Sequence, residues 1–182
     1  MEPTTPPSLS AGATRMLLSS DGSTTTLLEA LLDCSLTVRV HSQGPVQAQS
    51  LYPRARLELG LAPGDTAVER HSALLAPSDD VVSVNVVSYA APPSGWSGSS
   101  ADSAPLGRRL REAGTKQHRR ILSSGISEWP GDDAHQPCAY KEYIIACEDG
   151  SQLYVMEKFN PAFVAADTRD TDDRVLSAAT AV

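Results

Sequence analysis

The chain has 182 residues, of which 41% are hydrophobic and 20% charged, and its formal net charge is -7. That is enough apolar material for one core of modest size. An acidic surface repels phosphate backbones, and no apolar run is long enough to span a bilayer, so neither nucleic acid nor membrane is expected as a partner. Met1–Ser10 lacks the basic and apolar regions of a secretory signal, which points to a cytoplasmic protein.

Residues 1–13 are rich in Pro and Thr, and 165–182 are acidic and small, so both read as disordered tails around one domain at 14–164. Within it, Thr24–Leu32 (TTTLLEALL) reads as a short helix with Asp21 or Ser23 as its N-cap. Leu36–His41 alternates apolar and polar residues, as a half-buried strand does. Ala67–Leu75 and Val81–Tyr89 are β-branched runs joined by a turn at Pro77–Asp80. Ala90–Ala104, dense in Pro, Ser and Gly, reads as a disordered connection or, through its lone Trp96, as a lid. Pro105–Ala113 opens with proline at a helix start and stops at Gly114. Arg119–Glu128, Cys138–Cys147 and Ser151–Phe159 read as three further strands, the last two joined at Glu148–Ser151. The sum is an α+β fold with one antiparallel sheet of about six strands flanked by a few short helices.

Phosphate-binding loops, dinucleotide fingerprints, zinc-protease motifs and nucleophile elbows are absent. His41, His71, His118 and His135 have no ligand spacing, and Cys34, Cys138 and Cys147 form no CxxC pair, so neither metal nor organic cofactor is expected. Arg108, Arg109, Arg111, Lys116, Arg119 and Arg120 cluster, and read first as a solvated face, second as an anion-binding patch. Two strand residues stand out. Glu157 shares its alternation face with Leu153, Val155 and Phe159, so its carboxyl must be paired, hydrogen-bonded or protonated. Arg70 lies within the run Ala67–Leu75. The two form either a strand-to-strand ion pair or the poles of an enclosed polar cavity.

At these residues the sequence resembles the chorismate pyruvate-lyase family. Arg15–Thr24 is similar to the family's segment leading into a short helix, and Glu69–Leu75 to the strand with its carboxylate-binding arginine. Pro105-Leu106-Gly107 resembles its Pro-Leu-Gly turn, and Glu157-Lys158-Phe159-Asn160-Pro161 its closing Glu-x-Phe-x-Pro. The resemblance runs from about Arg15 to Pro161 and implies a chorismate lyase-like fold with an enclosed ligand cavity. It implies that Arg70 binds a substrate carboxylate and that Glu157 is the acid/base. Leu106 and Gly107, with Ser23, would hold further oxygens through the backbone. Asn85 stands where the enterobacterial-type lyase carries a second arginine, for which Lys141 or Arg120 could compensate.

Three readings follow. The first is a cofactor-free lyase that removes pyruvate from chorismate to give a hydroxybenzoate. The second keeps the fold and makes it a cyclase, isomerase or dehydratase of secondary metabolism acting on a polyketide-like substrate. The third is a small-molecule-binding sensor module. It is placed last because such modules follow a helix-turn-helix, whereas only about fourteen residues precede this domain. All three take a small-molecule partner, and a monomer is expected.

Overall fold

The computed structural model describes residues 9–96, 104–130 and 136–166. His135, the tails at 1–8 and 167–182, and residues 97–103 of the stretch read as a disordered connection or lid all lie outside them. Helices α1 (Ala11–Ser19) and α2 (Thr24–Leu32) are followed by strand β1 (Thr37–Gln47), a 3-10 turn at Ala48–Ser50 and helix α3 (Pro53–Glu58). Strands β2 (Thr66–Leu75) and β3 (Val81–Tyr89), helix α4 (Leu106–Glu112), and strands β4 (Gln117–Glu128), β5 (Pro137–Cys147) and β6 (Gln152–Phe159) complete the chain. The six strands form one antiparallel sheet in the order β1-β2-β3-β6-β5-β4, the α+β architecture expected from the sequence.

Leu9 is packed into the domain. Its backbone N–H donates to the Phe163 carbonyl at 2.6 Å, and its side chain is buried. Ser10 then caps α1 by accepting from the Ala13 N–H, and Ser23 caps α2 through the Thr26 N–H. Helix α4 stops at Gly114, whose φ of +70° is a left-handed conformation that residues with a side chain rarely adopt.

Helices α1, α2 and α4 cover one face of the sheet. At one end of that face, Leu17 of α1 and Leu28 and Leu32 of α2 pack with Leu74, Phe159 and Phe163. At the other end Leu110 of α4 packs with Tyr89, Trp96, Ile145 and Leu153. Trp96 is buried there, its ring 5.2 Å from that of Tyr89, so this residue of the Gly/Ser stretch is part of the core. The opposite face carries a third cluster, Val86, Ile144, Tyr154 and Met156 beneath Ala48, Leu51 and Ala55 of the 3-10 turn and α3. Between the two near-face clusters lies a polar gap. No described helix is long and apolar enough to cross a membrane.

Candidate functional site

Sheet register builds the polar gap. Ser72 of β2, Asn85 of β3, Glu157 of β6 and Lys141 of β5 stand directly opposite one another in sequence along one row. The next row is Arg70, Val87, Val155 and Tyr143, and the one after it Val68, Tyr89, Leu153, Ile145 and, on β4, Arg119. Because side chains alternate between faces, these rows present one polar band and two flanking cations to the same side. A bulge between Val40 and Ser42 shifts β1, placing Gln43 opposite Arg70, and the Arg70 Nη1 donates to Gln43 Oε1 at 2.8 Å.

Over this band lies a cavity of about 50 Å³, roomy enough for a few waters. Its floor includes Arg70, Ser72, Asn85, Tyr143, Glu157 and Arg119, and its roof Ser23, Thr24 and Thr25 of the α2 start with Pro105, Leu106 and Gly107 of the α4 start. All six residues singled out from the sequence as site candidates, Arg70, Glu157, Ser23, Asn85, Leu106 and Gly107, therefore border one space. Arg70 and Glu157 are 4% and 5% exposed, which makes them part of the interior rather than its rim. Ser83 Oγ donates to Asn85 Oδ1 at 3.1 Å and fixes that amide.

Burial pushes the Glu157 carboxyl above its ordinary pKa, opposed by Thr24, Lys141, Arg119 and Tyr143 in that order. The Thr24 and Tyr143 hydroxyls are near enough to favour the charged form, yet Glu157 Oε2 and Thr24 Oγ1 make no well-aligned hydrogen bond to protein. Both atoms keep capacity for another partner. Burial pushes Tyr143 well upward, and it draws Lys141 downward against the pull of Glu157.

The two cations considered as replacements for a second arginine behave differently from that expectation. Lys141, 1% exposed, donates to the carbonyls of Leu17 and Ser20 and so clamps the end of α1. Arg120 turns to the opposite face and pairs with Glu58 at 2.7 Å. Its neighbour Arg119 is the one that borders the cavity, which sequence reasoning missed. Elsewhere in the basic cluster, Arg108 pairs with Glu29, Arg109 with Glu112 and Lys116 with Glu148. A larger depression, about 250 Å³, opens on the far face over Val84, Val86 and Met156. Its rim residues are engaged, His71 by Glu69 and Lys158 by the Glu128 carbonyl, and it contains no buried charge.

No family model matches the sequence, and no curated protein matches it. Solved structures do. The effector domain of PhnF from Mycobacterium smegmatis is similar at 14% identity with a TM-score of 0.59, over 81% of this chain and 94% of that one. A second PhnF structure aligns with a TM-score of 0.54 at 14% identity, over 83% of this chain and 70% of that one. A Streptomyces coelicolor protein described as a transcriptional regulator aligns at 15% identity with a TM-score of 0.54, over 71% of this chain and 89% of that one. At these identities the likeness shows the fold.

These neighbours overturn the lyase reading and the membership that the motifs suggest. Two solved structures that share the fold are described as an effector domain and a regulator, so the enzyme readings, both pyruvate removal from chorismate and a cyclase of secondary metabolism, lose their support. The physical reason is plain. An arginine on β2, a glutamate on β6 and a Pro-Leu-Gly start to α4 are what any ligand cavity on this sheet can use, whether or not a bond is broken in it.

Proposed function

We propose that this domain is a small-molecule-binding sensor module whose cavity takes a small organic anion, with Arg70 as its principal anchor. One observation carries the reading: a guanidinium 4% exposed borders a cavity together with a buried carboxyl whose Oε2 has no aligned partner. A guanidinium presents a rigid fork of donors suited to a carboxylate or phosphate. The description of PhnF's domain as an effector domain supports sensing over turnover. In this reading Asn85, Ser72 and the Leu106, Gly107 and Ser23 backbone orient the ligand, and Glu157 accepts from or donates to its polar groups. A ligand larger than a few waters enters by displacing the α2 and α4 starts that roof the cavity, and that displacement is the signal.

Calorimetric titration of the protein with a panel of small carboxylates and phosphorylated compounds tests the proposal. At least one should bind, and Arg70→Ala should weaken it by about ten- to hundredfold, the worth of a charge-assisted bond. Arg70→Lys, which keeps the charge and loses the fork, should fall between. Binding that ignores both variants, in protein with unchanged circular dichroism, would sink the assignment.

A further inference from the structure

Resting on that reading and deepening it, we infer that the ligand carries two acidic groups set apart, the second of them held by Arg119. Arg70 sits on β2 and Arg119 on β4, four strands away in the sheet order, yet both border the same cavity. At roughly 4.8 Å between strands their backbones lie about 19 Å apart, so the two guanidiniums reach inward from opposite sides. Glu157, on β6, stands between them, and it is the sole carboxylate among the described lining residues.

Arg119 is held in place by a neutral partner. Its Nη2 donates to the neutral Gln117 Oε1 at 3.0 Å, while its Nε is shut away from solvent with no hydrogen-bond partner. Among the described residues no carboxylate forms an ion pair with it, in contrast to Arg108, Arg109 and Arg120 around it. A buried donor left unpaired is costly, and a ligand oxygen is the partner that removes the cost. The roof is fitted to it as well. A Cβ on Gly107 would lie 3.0 Å from Arg119 Nη2 and 3.4 Å from Ser23 Oγ, so glycine there is what leaves the guanidinium its place. Two cations on opposite walls match charges at two ends of a molecule, as in a short dicarboxylate. A phosphate monoester concentrates both charges at one end and matches less well.

Titration with succinate, glutarate and adipate, each beside the monocarboxylate of equal length (butyrate, pentanoate, hexanoate), and with glycerol phosphate, tests this. At least one dicarboxylate should bind tighter than its monocarboxylate by about tenfold or more, the worth of one charge-assisted contact. Arg119→Gln should erase that preference while leaving monocarboxylate affinity within about twofold. Gly107→Ala, with Arg119 intact, should reduce the preference in the same direction. Equal binding of each matched pair, a preference that survives Arg119→Gln, or glycerol phosphate binding above every dicarboxylate would overturn the inference and leave the anion site standing. Failure of every compound to bind the unaltered protein would overturn both.

Discussion

The two faces of the sheet handle charge in opposite ways. On the far face Arg120 meets Glu58 at 2.7 Å, His71 meets Glu69 at 2.8 Å and Arg54 meets Glu142 at 3.7 Å, all around the margin of an apolar cluster. On the near face Arg70, Lys141 and Glu157 are buried in the middle, between two apolar clusters. Their aligned partners include neutral ones, the Gln43 amide for Arg70 and two helix carbonyls for Lys141. Burying charge is expensive, and well-packed apolar residues would serve stability as well or better. The far face thus keeps its charges paired at its margin, whereas the near face buries them at a cost that the proposed anion site would account for.

The largest effect expected on the near face comes from its apolar framework. Phe159, fully buried two residues beyond Glu157 on the same side of β6, closes the cluster of α1 and α2. Phe159→Ala should lower unfolding stability by about 3–5 kcal/mol in a denaturant titration. A loss below about 1 kcal/mol would mean that the helices do not depend on this contact to cover the cavity.

Glu157→Gln sharpens the comparison from the polar side. Burial raises the Glu157 pKa, so the folded protein holds this proton to higher pH than the unfolded chain does. Stability from this group therefore falls as pH rises from the ordinary carboxylate range through the raised value, and is level beyond it. The slope is at most about 1.4 kcal/mol per pH unit within that window. Glu157→Gln should remove the slope, making the variant more stable than the parent at neutral pH and no different at about pH 4. Parallel stability curves for the two proteins would show that the carboxyl ionises in the fold as it does in water.

Much of this contrast was legible in the sequence. The alternation in Ser151–Phe159 sets Glu157 on the apolar face, and the register of β3 with β6, seen only in the fold, makes Asn85 its direct partner. Helix α2 is found at the bounds its capping residue and apolar spacing suggest. Three elements escaped for physical reasons. Helix α1 starts at Ala11, among small residues that carry no apolar period and read as part of the tail. The second half of β1, Ser42–Gln47, is an edge with a glycine and a proline and without apolar alternation, which an edge strand tolerates. Helix α3 is six residues long, too short to show a period. The site's second cation escaped because Arg119 and Arg120 are chemically alike and adjacent. Alternation says that they point to opposite faces, but only the register of β4 says which one meets the cavity. Short motifs led to the wrong activity since they mark stations on a sheet, and a sheet of this kind serves binding as readily as catalysis.

That adjacent pair offers the smallest effect and a clean control. Arg120 and Arg119 have the same charge, the same strand and neighbouring backbones, so any influence through net charge or strand propensity is shared. Arg120→Ala removes a pair whose arginine is 58% exposed, and water and salt screen such pairs. It should cost about 0.2–1 kcal/mol of stability and leave anion affinity unchanged, measured in the same titration as the Arg119 variant. If Arg120→Ala weakened binding as much as Arg119→Gln, the two faces would not be separable, and the anion response would belong to the overall field of the basic cluster. If only the Arg119 change acts, position on the sheet, and not charge, decides which arginine reads the ligand.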